Sequence, residues 1–310
     1  MLTAALACAL LALAPSPARA KHVGCGATVT QDTTLDSDLV DCPGNGVQVD
    51  GDGITLDLAG HLIDGTGGPY GVVTLGGASG VTVTGGRVRQ FHNAVALGGG
   101  GPFAAHDLEV SGSHDGILLT GVTSGVVERV LAWGNDGSGI NMPGSQDVLV
   151  RDNRLVGNGA GIGGAHVRSS TIERNLLAHN TFHGLRFATL TDTVVAANRV
   201  HVNGTLGMRL EEESSGNLLR ANRVSRSGED GIVLAEDSGA NRLERNRAVR
   251  NGGDGFDLAG AGAALVRNRA DHNAGLGFDA PLGVALDLHN TARHNGDPRQ
   301  CVGVECGRGR

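Results

Sequence analysis

Four charged residues recur at a regular interval in the second half of the chain. Arg186, Arg209, Asp257 and Asp279 each follow a Gly-apolar pair, and the series keeps an interval of 22–24 residues with Val233 filling its one gap. If successive repeats stack, Arg186 lies beside Arg209 and Asp257 beside Asp279, each pair about 5 Å apart at the backbone. Like charges at that distance repel, so each pair is expected to lower the stability of the fold.

A pair of carboxylates and a pair of guanidinium groups suit the chemistry of an acidic sugar. Asp257 and Asp279 could share a proton or bind Ca²⁺. Arg186 and Arg209 could hold a sugar carboxylate and stabilise the charge that develops on it. We take these four as candidate catalytic residues, with Ca²⁺ as the one candidate cofactor.

Three further polar residues, His183, Asp230 and Asp254, stand one turn position away from that series and are candidate substrate-binding residues. Together the seven residues form a charged strip of about four coils, or about 19 Å, which is enough for several sugar units. The competing interpretation is a solvated face, because an outward column of a solenoid must be polar, and aspartate before a corner glycine is a common turn residue. The single Trp, Trp133, and the single Tyr, Tyr70, offer little aromatic surface for sugar stacking.

These residues belong to a repeat that runs through most of the chain. Three columns recur in phase, which is not a chance pattern. The first asparagine column comprises Asn153, Asn175, Asn198, Asn222, Asn246, Asn268 and Asn290. The second, in which Ser227 fills the one gap, comprises Asn135, Asn158, Asn180, Asn203, Asn251, Asn273 and Asn295. The glycine column comprises Gly116, Gly139, Gly161, Gly184, Gly207, Gly231, Gly255 and Gly277.

The residues after each glycine alternate between apolar and polar, as in Met208-Arg209-Leu210, which indicates a strand. Each repeat holds about three such short strands and no segment long enough for a helix. The prediction is an all-β, single-stranded, right-handed parallel β-helix with about 22–24 residues per coil. Stacked asparagines can pass a side-chain hydrogen bond from coil to coil, and Asn and Gly tolerate the left-handed backbone of tight corners.

Composition supports a repetitive, turn-rich β protein, because 52 glycines and only 3% aromatic residues accompany 40% hydrophobic residues. The net charge of −7 argues against nucleic acid as a partner. Residues 1–20 have the features of a signal peptide, with an apolar run from Leu2 to Leu13 and a cleavage pattern ending at Ala20. That run is too short to anchor the chain in a bilayer, so we expect no transmembrane segment and a secreted, periplasmic or cell-surface location.

Four cysteines remain after that cleavage, two at each end of the chain. An even number in an exported protein predicts disulfides, here Cys25–Cys42 and Cys301–Cys306, and no metal site. The domain prediction is a β-helix over residues 21–300 followed by a disulfide-stapled tail over 301–310, which caps the last coil and blocks edge-to-edge association. We expect a monomer.

The chain resembles a known family in three places. The Cys25-Gly-Ala-Thr-Val-Thr opening, the Thr55-Leu-Asp-Leu-Ala-Gly-His segment and the Asn…Asn…Gly-Ile units are similar to exported right-handed parallel β-helix repeat proteins, relatives of pectate lyases and of NosD. The resemblance covers about residues 24–295 and implies the fold rather than an activity. The polygalacturonase and alginate C5-epimerase signatures are not matched; Ser113-His114-Asp115-Gly116 is the nearest fragment.

The functional hypothesis is binding or modification of an extracellular acidic polysaccharide or cell-surface glycan. An enzyme of this kind would be a lyase, an epimerase or a glycoside hydrolase. The alternative is a non-catalytic adhesion or structural rod, and copper delivery of the NosD kind ranks third because His residues are scattered and Met is rare. A second basic column lies near Glu128, Glu173 and Glu244 and is interpreted as a balanced charged surface with a capacity for polyanions; it comprises Arg154, Arg199, Arg223, Arg247 and Arg269.

Overall fold

The computed structural model describes residues 20–307 of the chain. In that part the protein is a β-solenoid of about 12 turns, without a helix and with parallel strand pairing. This architecture confirms the predicted right-handed parallel β-helix. Most of the predicted signal peptide, and residues 308–310 of the predicted tail, lie outside the described residues.

Residues 20–307 form thirty-five strands of the solenoid. In chain order they are β1 Ala20–Lys21, β2 Ala27–Val29, β3 Thr33–Leu35, β4 Leu39–Cys42, β5 Val47–Val49, β6 Thr55–Asp57, β7 Leu62–Thr74, β8 Thr82–Gly98, β9 Phe103–Ser111, β10 Asp115–Thr120, β11 Thr123–Glu128, β12 Leu131–Trp133, β13 Ser138–Asn141, β14 Gln146–Arg151, β15 Arg154–Val156, β16 Ala160–Arg168, β17 Thr171–Glu173, β18 Leu176–Ala178, β19 Leu185–Thr191, β20 Val194–Ala196, β21 Arg199–His201, β22 Met208–Glu211, β23 Leu218–Arg220, β24 Arg223–Ser225, β25 Ile232–Leu234, β26 Arg242–Glu244, β27 Arg247–Val249, β28 Phe256–Leu258, β29 Ala264–Val266, β30 Arg269–Asp271, β31 Phe278–Asp279, β32 Leu286–Leu288, β33 Asn290–Arg293, β34 Cys301–Val302 and β35 Cys306–Gly307.

The strands form three parallel sheets along the rod. Sheet A contains the strands that follow the glycine column, including β13, β16, β19, β22, β25, β28 and β31. Sheet B contains those before the first asparagine column, including β11, β14, β17, β20, β23, β26 and β29. Sheet C contains those between the two asparagine columns, including β15, β18, β21, β24, β27 and β30. The long strands β7, β8 and β9 turn corners and join more than one sheet.

The core is a set of stacked apolar columns inside the three sheets. In sheet A, Leu185 pairs in register with Met208, which pairs with Ile232, and all three side chains are fully buried. Further along, Phe256 stacks on Phe278 with ring centroids 4.5 Å apart. Each coil therefore buries its apolar surface against its two neighbours, which is how a solenoid grows without a central globular core.

The predicted asparagine columns form hydrogen-bonded ladders at two corners. Asn175 donates its side-chain N–H to Oδ1 of Asn198 at 3.0 Å, and Asn198 donates to Asn222 at 3.1 Å. The same Oδ1 atoms also accept the backbone N–H of the preceding coil, as Asn198 does from Asn175 at 3.0 Å. These buried amides are thus satisfied by one another, as buried polar groups must be.

The corner backbone differs from expectation in one respect. The left-handed residue in the first column is the one before each asparagine, such as Ala197 with φ 53° and Ala221 with φ 54°, and no ladder asparagine in the described chain has positive φ. The expectation that the asparagines themselves adopt this conformation was wrong. They instead occupy the inward position after the bend, where their amides can reach the next coil.

Both predicted disulfides, Cys25–Cys42 and Cys301–Cys306, are present. The segment after Asn295 adds β34 to sheet A and β35 to sheet C, so two of the three sheets continue into the predicted tail. On sheet B, Leu286 and Leu288 of β32 remain substantially exposed. Residues 20–307 contain no helix long and apolar enough to cross a membrane.

Candidate functional site

The four candidate catalytic residues lie on the outer face of sheet A. Arg186 pairs in register with Arg209, and Asp257 pairs with Asp279. Val233 stands next to Asp257 on the intervening strand and separates the arginines from the aspartates. The strip is therefore two local charge clusters on one face.

The two arginines share a carboxylate that sequence reasoning missed. Glu211 is almost fully buried, accepts a hydrogen bond from Nε of Arg186 at 2.7 Å, and accepts one from Nε of Arg209 at 2.5 Å. Burial would raise the pKa of Glu211, but the two guanidinium groups outweigh it and hold the pKa below its usual range. The expected repulsion between the arginines is thereby compensated, and the triad keeps one net positive charge. The sequence signal was present, since Glu211 follows Arg209 by two residues and period-two alternation puts both on the same face.

The two aspartates lie in an acidic and partly desolvated cluster. Burial raises the pKa of Asp257 to about 6, with further contributions from the charges of Asp230, Asp254 and Asp279. Burial likewise raises the pKa of Asp254. Near neutral pH, Asp257 can therefore exchange a proton, which is the property that a general acid or base requires.

Asp230 and Asp254 hold the corner before the glycine column. Oδ1 of Asp230 accepts the backbone N–H of Asp254 at 2.5 Å, and Oδ1 of Asp254 accepts that of Leu276 at 2.5 Å. Asp115 does the same for Ser138 at 2.7 Å in an earlier coil. This repeated carboxylate-to-backbone bond connects successive coils and accounts for the position of these aspartates in structural terms.

His183 lies at the same corner, next to the arginine end of the strip. Its Nδ1 is 2.8 Å from Oγ1 of Thr205. Burial lowers the pKa of His183, and the positive charges of Arg186 and Arg209 lower it further. The imidazole is therefore neutral at neutral pH and can accept a proton.

A groove of about 620 Å³ crosses sheet A beside Arg186. Its floor includes Gly163, at an outward position of β16, and the exposed ring of Phe182 and the ring of Pro143 also line it. The lining also contains polar groups from several coils; it comprises Asp136, Gly137, Ser138, Asn141, Pro143, Gly159, Ala160, Gly163, Gly164, Ala165, Phe182, His183, Arg186 and Ala188. Sequence reasoning missed this groove because it followed charged side chains, although the run Ala160-Gly-Ile-Gly-Gly-Ala165 was a signal of missing side chains.

Of the seven predicted site residues, the groove brings together His183 and Arg186. The lining does not include Arg209, Asp230, Asp254, Asp257 or Asp279. Arg209 instead lines a second depression of about 550 Å³, together with Glu211, Glu212, Ala235, Glu236 and Asp237. The groove thus lies mainly on the coils before the predicted strip and meets it at the arginine end.

Two family models match the chain, each over at least half of its length. The model described as "Right handed beta helix region" matches residues 138–295. The model described as "Periplasmic copper-binding protein (NosD)" matches residues 25–203. The chain belongs to the right-handed β-helix and NosD families. No curated protein matches the sequence.

Solved structures with the same fold include a double mutant of the periplasmic alginate epimerase AlgG. It superposes with a TM-score of 0.67 at 17% identity, over 88% of this chain and 76% of that one. A second structure of AlgG gives a TM-score of 0.66 at 17% identity, over 85% and 72% of the two chains. An exopolygalacturonase from Thermotoga maritima gives 0.49 at 12% identity, over 74% and 72%. At 17% identity the likeness to the two AlgG structures is one of fold.

The donor groups of this NosD-family chain do not fit a copper site. Among the described residues no three His, Cys, Asp or Glu side chains converge on one position. The four cysteines of that part form disulfides, and Met142 and Met208 are fully buried in the core. Copper sites use accessible soft donors or imidazoles in a convergent set, so no step is assigned to this metal. The disulfides and the periplasmic family description support an exported protein.

Proposed function

We propose that the groove on sheet A binds an acidic polysaccharide. The single observation that carries the proposal is the placement of the exposed Phe182 ring and the Arg186 guanidinium on one groove. Sugar rings stack on aromatic faces, and a guanidinium group pairs with a carboxylate through two hydrogen bonds. The surplus charge of the Arg186–Glu211–Arg209 triad attracts an anionic sugar to that end of the groove.

The fold is compatible with this proposal, because the similar structures include a periplasmic alginate epimerase. Alginate is an acidic polysaccharide. We place the protein in the periplasm or on the cell surface, in keeping with the signal peptide predicted for residues 1–20.

Proton abstraction beside the sugar carboxylate is the catalytic form of this function. Arg186 would neutralise the carboxylate, which makes the adjacent C–H more acidic, and the neutral His183 at the groove wall would accept the proton. Asp257 and Asp279 would act further along the same face, where the raised pKa of Asp257 favours a shared proton over a bound Ca²⁺. The carbanion would then either expel the glycosidic oxygen from the neighbouring carbon, which takes up a proton as it leaves and gives an unsaturated lyase product, or take up a proton on the opposite face of the ring, which gives an epimerised product.

Calorimetric titration with oligomannuronate and oligogalacturonate, and with uncharged dextran, tests binding to the groove. We expect binding of a charged oligosaccharide only, and a loss of at least tenfold in affinity for Phe182→Ala and for Gly163→Leu, which fills the floor. Trp133→Ala is the matched control, because Trp133 is also exposed but lies on sheet C. Equal affinity of Phe182→Ala and wild type would show that the groove is not the binding site.

A separate assay tests catalysis. Unsaturated uronate absorbance detects a lyase product, and proton NMR of the recovered oligosaccharide detects epimerisation. Binding without either product would leave the non-catalytic rod as the function of this chain.

A further inference from the structure

A second charged surface lies on the outer face of sheet C, away from the groove. Arg199 of β21 pairs in register with Arg223 of β24, which pairs with Arg247 of β27. Arg226 and Arg250 add two more guanidinium groups at the corner that follows these strands, both with left-handed backbone. Like charges stacked at the spacing of a β-sheet are destabilising unless something compensates them.

The glutamates that were expected to balance these arginines lie on a different sheet. Glu128, Glu173 and Glu244 belong to sheet B, where they pair with other arginines. Their partners are Arg129 and Arg151 for Glu128, Arg174 for Glu173, and Arg242 and Arg245 for Glu244. The interpretation of the basic column as a balanced surface was therefore wrong for its central part.

Within sheet C, the arginines at one end of the basic column lie near a carboxylate that offsets their charge. Arg247 and Arg269 both approach the buried carboxylate of Asp271, with Arg247 at 3.6 Å. In residues 22–307, by contrast, no carboxylate lies within ion-pair distance of Arg199, Arg223, Arg226 or Arg250. These four define the arginine pocket.

The arginine pocket is a small cavity of about 230 Å³. Besides the four arginines, its lining contains His201, Ser225 and Val249. Nδ1 of His201 is 3.0 Å from Oγ of Ser225, so these two polar side chains are connected at the pocket wall. All four arginines are exposed at their surfaces, which leaves the cavity open to a ligand.

The pKa of His201 reflects the same excess of positive charge. Burial lowers its pKa, and the charges of Arg226, Arg199, His179 and Arg223 lower it further. The pocket therefore has a strongly positive potential that the protein itself does not neutralise.

We propose that the arginine pocket binds a tetrahedral oxyanion, a sulfate or phosphate group, carried on a polysaccharide. Several guanidinium groups that converge on a cavity of this size match the multiple acceptor oxygens of such a group better than the two of a carboxylate. The cavity is too small for a sugar chain, so the chain lies across sheet C while the anionic group enters the pocket. This site is independent of the groove on sheet A and would hold the rod to an anionic matrix.

Titration of the full chain with dextran sulfate, uncharged dextran and inorganic sulfate tests the proposal. We expect dextran sulfate to bind, dextran not to bind, and Arg223→Gln with Arg226→Gln to weaken dextran sulfate at least tenfold. If inorganic sulfate competes only weakly, the site is assigned to a sulfate group carried on a chain. If inorganic sulfate binds as tightly as each sulfate group of dextran sulfate, the site belongs to the free ion and the proposal of a polysaccharide ligand is overturned.

The matched control is Arg242→Gln with Arg245→Gln, which removes two exposed arginines paired with Glu244 on sheet B. An equal loss in both double variants, or no binding by wild type, would overturn the site. Tighter binding of single-stranded DNA than of dextran sulfate would overturn the assignment to a glycan. Phe182→Ala is expected to leave dextran sulfate binding unchanged. A result against the arginine pocket is therefore distinguishable from a result against the groove on sheet A.

Discussion

At the scale of single residues, the charges on sheet A differ in how far the protein itself satisfies them. Arg186 and Arg209 are paired with Glu211, whereas Asp257 faces other carboxylates. The first arrangement stabilises the fold and leaves one charge for a ligand. The second costs stability at neutral pH, and such a cost is often associated with function.

The raised pKa of Asp257 predicts a pH-dependent stability. The folded pKa of about 6 exceeds the ordinary value of 3.8, so the folded chain binds the proton more tightly than the unfolded chain. Stability is consequently lost as the pH rises from about 4 to about 6, by about 1–2 kcal/mol after allowance for partial exposure. We expect Asp257→Asn to raise Tm at pH 7 by several degrees but to leave it nearly unchanged at pH 4.

The control for that measurement is Asp237→Asn, at an exposed corner. It is expected to shift Tm equally at the two pH values. A stabilisation by Asp257→Asn that is as large at pH 4 as at pH 7 would show that the carboxylate is not desolvated.

Removal of Glu211 tests the arginine pair. Glu211→Gln leaves Arg186 beside Arg209 without a buried carboxylate, so we expect a loss of about 1–3 kcal/mol in the free energy of unfolding. Added NaCl should restore part of the Tm of this variant, because salt screens the repulsion. Glu212→Gln, an exposed neighbour, should behave like wild type; a Glu211→Gln variant of wild-type Tm at low salt would refute the pairing.

At the scale of elements, the asparagine ladders fix the register of the strands. The second ladder has a gap at Ser227, whose buried Oγ has no hydrogen-bond partner. On either side of it, Asn180 donates to Asn203 at 3.0 Å and Asn251 donates to Asn273 at 2.9 Å. The gap is therefore a local weakness in a corner that is otherwise fully bonded.

Completion of the ladder should stabilise the protein. In Ser227→Asn the new amide can accept from Asn203 and donate to Asn251, and each buried hydrogen bond contributes about 1 kcal/mol. We expect a higher midpoint of guanidinium unfolding. Asn198→Ser makes the equivalent gap in the first ladder and should lower the midpoint; a lower midpoint for both variants would show that the corner at Ser227 has no room for the amide.

The sequence predicted the elements well because their spacing is periodic. The Asn175, Asn198 and Asn222 column placed identical side chains one coil apart, and stacking then determined which residues are neighbours. The groove could not be predicted in the same way, because it depends on the absence of a side chain at the outward position of Gly163 and on the corner that presents Phe182. Glu128 and Glu244 were expected beside the basic column but lie on sheet B, around the corner from it. Proximity in sequence does not show on which side of a corner a residue lies.

At the scale of the whole molecule, each coil contacts only its neighbours, so the two ends should open independently. The disulfide Cys301–Cys306 holds β34 and β35 against the last coil. Its removal should cost about 2 kcal/mol of local stability through the entropy of the released loop. In the Cys301→Ser, Cys306→Ser variant we expect faster amide hydrogen exchange in residues 278–307 and unchanged exchange in residues 47–98.

Exchange that increases along the entire rod would contradict this local coupling.

The protein is predicted to be a monomer. Light scattering checks this prediction, and the exposed Leu286 and Leu288 at the end of sheet B are the residues through which two copies could associate.

The assignment of the groove as a polysaccharide site is tested by a crystal structure of the protein with an acidic oligosaccharide that it binds. We expect sugar units along sheet A over Gly163, with a ring against Phe182 and a carboxylate on Arg186. Sugar bound only elsewhere on the rod, with the groove between Asp136 and Ala188 empty, would contradict it.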